Sequence, residues 1–309
     1  MTELLGPRQV ERFHSIRGEE LQRFIQKIVE KDRENENVNL EKGLMKLTNN
    51  IVCRIAMSTS CSEEEDEAER CKELVEGSIE LTGKMVIVYL LGPLKKVGRW
   101  VFMKELKDIS RRIDELLEKI LKEHEERAKK DGGSLPVRNT YFSRWHALDY
   151  GNAHQPSKLV KETLRLYPLG PVISRASRED SKIGGFDIPK ETVVLINLYS
   201  MMRDPEIWDN PDEFKLERLL VSHKETDKEN HSLGYVPFGG GRRMCPGSHL
   251  ALTISHITIA SMVQCFDWKV SGGDGDGGKV NIEAKSSMIM CLAHPIVCLP
   301  EVHYNPFVA

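Results

Sequence analysis

The sequence has little that would place the chain across a membrane or in a secretory route. No run of 18 apolar residues occurs in its 309 residues, and a membrane-spanning helix needs about 20. The best candidate, residues 85–94, is too short and ends at a Gly-Pro pair, so we expect a buried loop or an interfacial patch there. No apolar block follows the first charge near Met1, so we expect no signal peptide.

Paired metal-ligand spacings and strong charge of one sign are also missing. The ten histidines and seven cysteines contain no His-x-x-x-His or Cys-x-x-Cys pair, so we do not expect a zinc site. Scattered cysteines indicate a reducing compartment. The net charge of -3 comes with no basic patch, so nucleic acid is not an expected partner. We interpret six cysteines as ordinary thiols: Cys53, Cys61, Cys71, Cys265, Cys291 and Cys298.

The seventh cysteine, Cys245, lies in a glycine-rich segment that is suited to hold a metal ligand. The three glycines at 239–241 permit backbone angles and close approaches that a side chain would block. Pro246 and Gly247 open a segment of helical period, which predicts Cys245 in a turn just before a helix N-terminus. Backbone N–H groups and the helix dipole at such a position favour a thiolate.

Spacing alone leaves two other interpretations of this segment open. The first is a buried cysteine in a glycine-rich turn, which carries no chemistry. The second is a phosphate-binding loop, but such a loop has a Lys-Ser or Lys-Thr pair after its glycines. Here Arg242 and Arg243 follow the glycines instead.

The segment resembles the haem-ligand motif of cytochrome P450 monooxygenases, Phe-x-x-Gly-x-Arg-x-Cys-x-Gly. Phe238, Gly241, Arg243, Cys245 and Gly247 match all five fixed positions. The resemblance implies heme b (iron protoporphyrin IX) as the cofactor, Cys245 as the metal ligand and Phe238 as a shield for the thiolate. It also implies that Arg243 pairs with a haem propionate. A cysteine thiolate on haem iron favours O–O cleavage.

A second motif lies upstream. Glu162 and Arg165 are three residues apart and share one face of a predicted helix. Alone, they would indicate only a solvated ion pair. In this order along the chain they resemble the P450 Glu-x-x-Arg pair, which locks the core together with a later arginine. Arg218 stands at that place, with leucines where the family has Pro and Phe.

Two predicted β-elements lie between the motifs. Residues 184–189 predict a hairpin turn, and residues 192–197 predict a strand too apolar to be exposed. Arg175 lies in the strand before the hairpin. The resemblance implies that Arg175 contacts a haem propionate, and the alternative is a surface cation. Residues 203–205 (Arg-Asp-Pro) and Trp208 also resemble the family's loop after this sheet.

Helical periodicity dominates the N-terminal part, where we predict helices over about 19–30, 40–57, 63–82 and 99–130. Alone, they would indicate a generic bundle. The segments MTELLG, LMKLTNNIVCRIAM and ILKEHEERAKK of this part resemble the flavonoid-oxidising branch of plant P450s, which includes flavone synthase and 2-hydroxyisoflavanone synthase. The C-terminal segments AHPIVCLP and NPF resemble the same branch. The resemblance implies a mainly α cytochrome P450 fold with small β-sheets.

The resemblance fails over residues 134–158, where the family has a long central helix with an acid–threonine pair for proton delivery. No such pattern occurs in the sequence. We therefore divide the chain into a helical part (1–133), an atypical junction (134–158) and a haem-binding core (159–309) that carries both motifs. The expected fold is incomplete, because the family's N-terminal membrane anchor is missing as well.

Our first hypothesis is a haem-thiolate monooxygenase that hydroxylates a small hydrophobic or phenolic substrate of flavonoid type. It would use molecular oxygen and electrons from an NADPH-cytochrome reductase. The alternative is a catalytically defective P450 remnant or haem-binding fragment without turnover, because the central helix pattern is missing. A third hypothesis, an all-α interaction module, predicts no haem uptake. The family resides at the cytosolic face of the endoplasmic reticulum membrane, and the missing anchor predicts a soluble form.

Overall fold

A computed structural model describes residues 5–57, 73–75, 77–78, 80–85, 88, 95–130, 154–219, 234–270, 280–285 and 289–307. The chain forms two compact units. The first comprises Met1–Ala153, His249–Glu283 and Leu292–Ala309, and the second comprises His154–Ser248 and Ala284–Cys291. These units do not test the predicted division at residues 133 and 158, which stays a prediction.

Within the described residues the architecture is mainly helical with three small antiparallel sheets, as the sequence predicted. In chain order, the elements are α1 (Pro7–Arg12), α2 (His14–Arg33), β1 (Val38–Asn39), α3 (Leu40–Met57), α4 (Lys95–Lys130), α5 (His154–Leu166), β2 (Val172–Ala176), β3 (Ser181–Ile183), β4 (Phe186–Ile188), β5 (Val193–Asn197), α6 (Leu198–Met201), α7 (Ser248–Cys265), β6 (Phe266–Val270) and β7 (Val297–Val302). Short 3-10 turns lie at Leu216–Leu219 and Gly241–Arg243.

The first unit is built around helix α2, which is longer at both ends than the predicted 19–30. Polar residues extend its buried face beyond the apolar stripe. Arg17 is buried and donates to the carbonyl of Val10. Buried Glu20 accepts hydrogen bonds from Asn50 at 3.0 Å and from Arg54 at 2.9 Å, both on α3. The core also includes these apolar side chains: Leu21, Phe24, Ile25, Ile28, Leu47, Ile51, Leu250, Ile254 and Phe266.

The described bounds of the other N-terminal helices lie close to the predicted ones. Helix α3 has the predicted bounds, and α4 begins at Lys95, one turn before the predicted start. Residues 80–85 are helical, so the third helix continues past the predicted end at residue 82. The start of that helix, most of 85–94 and the junction up to residue 153 lie outside the described residues. No helix within the described ranges combines the length and apolar character that a membrane crossing requires.

The described part of the second unit joins helices α5 and α6 to two small sheets. Helix α5 ends at Leu166, two residues before Pro168. Strands β2 and β5 pair antiparallel from Val172↔Asn197 to Ala176↔Val193. Strands β3 and β4 form the predicted hairpin, whose turn has positive φ angles at Gly184 (56°) and Gly185 (86°). Two successive positive φ angles match the right-handed twist of the flanking strands.

The prediction that residues 192–197 form a strand too apolar to be exposed is wrong in its second part. The strand exists as β5, but Val193 is 43% exposed and Leu195 is 39% exposed. Side chains alternate between the two faces of a strand. Val194 and Ile196 are partly covered on one face, whereas Val193 and Leu195 point to the other.

Candidate functional site

Cys245 lies at the end of a tight turn, which we call the cysteine turn (residues 238–247). The chain folds back on itself, so that the Cys245 N–H donates to the Phe238 carbonyl at 3.0 Å. Inside the loop, the Met244 N–H donates to the Gly241 carbonyl at 3.2 Å. Gly239 and Gly241 have φ angles of 74° and 67°. An L side chain rarely adopts these angles, so glycine is required at both positions.

The thiol of Cys245 is exposed and free, as is that of Cys291, whereas Cys265 and Cys298 are buried. Burial raises the pKa of the Cys265 thiol to about 11, and burial also raises the pKa of the Cys298 thiol. Gly247 lies close behind the sulfur, since a Cβ added there would be 3.9 Å from Sγ. Helix α7 begins at Ser248, whose N–H donates to the Cys245 carbonyl at 3.4 Å.

Strand β2 contacts the cysteine turn. The Arg175 Nη2 group donates to the backbone carbonyl of Arg243 at 3.3 Å, and its Nη1 group donates to the Ser174 carbonyl at 2.8 Å. A Cβ added to Gly239 would lie 3.8 Å from Cδ1 of Ile173. The structure therefore brings Arg175 and the turn together, whereas their separation in sequence is 68 residues.

Glu162, Arg165 and Arg218 form one buried cluster in the second unit. The side chains of Glu162 and Arg165 are fully buried and joined by two hydrogen bonds of 2.9 and 3.0 Å. Arg218 Nε donates to Glu162 Oε1 at 2.9 Å. The backbone N–H of Lys215 donates to the same oxygen at 3.1 Å. The predicted triad thus comes together in space.

Each arginine of the cluster also binds backbone carbonyls that the sequence could not reveal. Arg165 donates to the carbonyls of Met202, Pro211 and Glu213 at 2.7–3.2 Å. The ring of buried Trp208 lies 5.3 Å from its guanidinium carbon. The sequence marked Trp208 only by family resemblance. Arg218 likewise holds the carbonyls of Asp209, Asn210 and Glu213.

Electrostatics in the cluster favour an ionised Glu162. Burial acts to raise the pKa of its carboxyl group, but the hydrogen bonds from Arg165 and Lys215 and the charges of both arginines outweigh it. The pKa of Glu162 therefore lies below its ordinary value. Burial, and then the negative charge of Glu162, raise the pKa of Tyr235. The ionised carboxylate of Glu162 is thus the hydrogen-bond acceptor that both arginines of this cluster share.

Comparison with known families accounts for most of the chain. The family model described as Cytochrome P450 matches residues 1–143 and 157–296. The chain is similar to Cytochrome P450 705A5 of Arabidopsis thaliana, with 36% identity over 96% of this chain and 70% of the relative. That alignment runs over 367 residues, more than the chain contains, so part of the relative lies opposite gaps.

Similar proteins also come from Glycine max. Cytochrome P450 93A3 is 30% identical over 99% of this chain and 74% of its own length. The 3,9-dihydroxypterocarpan 6A-monooxygenase has the same identity and the same two coverages. Among solved structures, the cytochrome P450DA heme domain matches with a TM-score of 0.66 and 17% identity. The match covers 98% of this chain and 74% of the chain in the solved structure, and it shows that the two folds are similar.

Proposed function

The chain belongs to the cytochrome P450 family, in a plant branch related to flavonoid oxidation, and from this premise we propose that the Cys245 thiolate would bind the iron of its haem. The family and its relatives make the chain a haem-thiolate monooxygenase with heme b as cofactor. The reaction needs a redox partner, molecular oxygen and an organic substrate. Haem, when bound, activates dioxygen so that one oxygen atom enters the substrate.

The cysteine turn fits a porphyrin. The described residues contain no cluster of three or more His, Cys, Asp or Glu side chains that would hold a bare metal ion. A lone exposed thiol therefore suits a metal whose other ligands come from a non-protein ring. No described atom lies within 4 Å of a Cβ built on Gly240 or Gly241, so the turn leaves open space for a flat group. This donor set and this space are the observations that support the proposal.

The remaining site residues receive roles that the contacts support. The Phe238 carbonyl accepts the hydrogen bond from the Cys245 N–H, and we assign the Phe238 ring to shield the thiolate. Gly247 leaves room beside the sulfur, and Gly241 supplies a positive φ angle to the turn. Arg243 lies in the cysteine turn and Arg175 contacts the turn from β2, and both carry the positive charge that suits carboxylates such as propionates. Glu162, Arg165 and Arg218 form the structural cluster of the same unit.

The relatives support finer assignments, which we add to the proposal. We propose NADPH-cytochrome reductase as the redox partner and the cytosolic face of the endoplasmic reticulum as the location. The name of the 3,9-dihydroxypterocarpan 6A-monooxygenase supports a small hydrophobic, phenolic substrate. The relatives favour a working monooxygenase over a remnant without turnover. The three-part division at residues 133 and 158 remains part of the proposal, and the family model leaves 144–156 unmatched.

Replacement of the ligand tests the proposal. The full chain with Cys245→Ala is loaded with haem, reduced and exposed to carbon monoxide. The matched control is Cys291→Ala, which removes another exposed, free thiol of the same unit. We expect the Soret band at the thiolate position in the wild type and in the control, and its loss in Cys245→Ala. Haem uptake with an unchanged spectrum in Cys245→Ala would overturn the assignment.

A further inference from the structure

Strand β2 presents two neighbouring side chains of one face to the cysteine turn. Ile173 and Arg175 are two residues apart on β2, so they point to the same side. Ile173 packs beside Gly239, near the start of the turn, with Cδ1 3.8 Å from a Cβ built there. Arg175 donates to the carbonyl of Arg243, two residues before Cys245. One strand face thus contacts the turn on both sides of Gly241.

The strand that makes these contacts is itself fixed. All five residues of β2 pair with β5 in a continuous antiparallel register. The N–H of Tyr199 donates to the Pro171 carbonyl at 3.0 Å, just before the strand begins. The Nη1 group of Arg175 donates to the Ser174 carbonyl at 2.8 Å, and this second hydrogen bond limits rotation of the guanidinium. A planar guanidinium with two fixed arms keeps its donors in one orientation.

We propose that Arg175 and Ile173 are positioning residues that hold the cysteine turn in its ligand-presenting conformation before haem binds. The inference deepens, and rests on, the proposed role of Cys245. The Arg243 carbonyl is the acceptor that fixes the peptide groups leading into Met244 and Cys245. Loss of this charge-assisted hydrogen bond lets that peptide segment rotate, and the thiol loses its fixed direction.

This role differs from contact with a propionate, and the two are separable. A guanidinium has five N–H donors, so a carbonyl and a propionate can be bound together. In the haem-free protein no propionate is present, whereas the Arg243 carbonyl remains. An effect of Arg175 on the turn in the haem-free protein therefore reports positioning alone.

The experiment measures amide hydrogen exchange in the full haem-free chain, resolved at Met244 and Cys245. The variants are Arg175→Ala, Arg175→Lys and Ile173→Ala, and the matched control is Arg178→Ala, an exposed arginine three residues further on. We expect Arg175→Ala to speed exchange at Met244 and Cys245 by about tenfold, the effect of losing one hydrogen bond to a charged group. Arg178→Ala is expected to change nothing.

Two further variants keep the test decisive if Arg175→Ala fails to fold. Arg175→Lys keeps one charged donor group but loses the planar pair of guanidinium N–H groups. The exchange rate at Met244 and Cys245 should therefore rise by less than in Arg175→Ala. Ile173→Ala should speed exchange at Gly239, whose N–H donates to the Val236 carbonyl at 2.9 Å. The amide of Leu166 in α5 serves as a reference for an intact unit.

The outcomes separate this inference from the proposed function. Unchanged exchange at Met244 and Cys245 in Arg175→Ala and Arg175→Lys overturns the positioning role, even when the wild-type spectrum shows a thiolate ligand. Faster exchange, with a smaller thiolate share in the carbon monoxide spectrum of the haem-loaded variants, supports it. If Cys245→Ala leaves the spectrum unchanged, the ligand assignment fails while the exchange result still describes the turn.

Discussion

At the scale of single residues, the site depends on backbone angles that only some positions of the cysteine turn require. Gly240 and Gly241 are neighbours and both face open space. Gly240 has an extended backbone with φ of -143°, whereas Gly241 has φ of 67°. A side chain therefore fits at both positions, but only Gly241 would be strained by one.

This contrast gives a matched pair of variants. We expect Gly241→Ala to destabilise the turn by about 1–2 kcal/mol, because a left-handed backbone brings Cβ against the following carbonyl. Gly240→Ala should leave the turn as it is. Exchange at the Cys245 amide in the haem-free chain is the measurement. Equal effects of the two variants would mean that the backbone angle at Gly241 is not the constraint.

At the scale of elements, helix α5 is tied to the segment after α6 by the carboxylate of Glu162 and the guanidinium of Arg165. Glu162 accepts from Arg165, Arg218 and the Lys215 backbone, so its charge joins the helix to residues 209–218. A buried charge that loses its partner is costly, of the order of 3–5 kcal/mol. The ionic state of Glu162 should therefore govern how firmly these elements hold together.

The pH dependence has a definite sign. The pKa of Glu162 is lower in the folded protein than in the unfolded chain, so its charge contributes stability above the unfolded value. That contribution is lost as the pH falls through the folded value. We expect Glu162→Gln to lower the free energy of unfolding at neutral pH by about 3 kcal/mol and to flatten the acid limb of the stability curve.

Chemical denaturation from neutral to acid pH measures both effects. The control is Glu217→Gln, which removes the charge of an exposed carboxylate beside Arg218. Its curve should follow the wild type. A variant Glu162→Gln with the full acid dependence of the wild type would assign that dependence to other carboxylates.

At the scale of the whole molecule, every proposed site residue lies within His154–Ser248 of the second unit. Haem binding should therefore stabilise the second unit more than the first. Binding to the folded state alone, at a haem concentration 100 times the dissociation constant, adds about 2.7 kcal/mol. Amide exchange at Leu166 and Met202 should slow accordingly, while exchange at Ile25 and Ile51 in the first unit should change less. Equal slowing at all four amides would show that the units open together.

Local residue patterns of this chain were predictable from its sequence, whereas contacts to backbone atoms and the covering of strand faces were not. The five fixed positions around Cys245 and the Glu162–Arg165 spacing are local patterns of residue type, so sequence located them. The carbonyls that Arg165 and Arg218 bind carry no residue signature, because every residue has one. The contact of Arg175 with Arg243 likewise uses a backbone atom. The exposure of Val193 and Leu195 depends on which face of β5 is covered, a matter of tertiary packing.

That exposed face of β5 has a consequence for how the protein behaves in concentrated solution. Residues 193–196 carry no charge and no proline, and in the part of the chain that the structure describes β5 pairs only with β2. Uncharged strands that leave apolar side chains such as Val193 and Leu195 exposed favour association with strands of other copies. Preparations of the isolated chain should therefore precipitate through this strand well before the charged surface of the helices sets a limit to solubility.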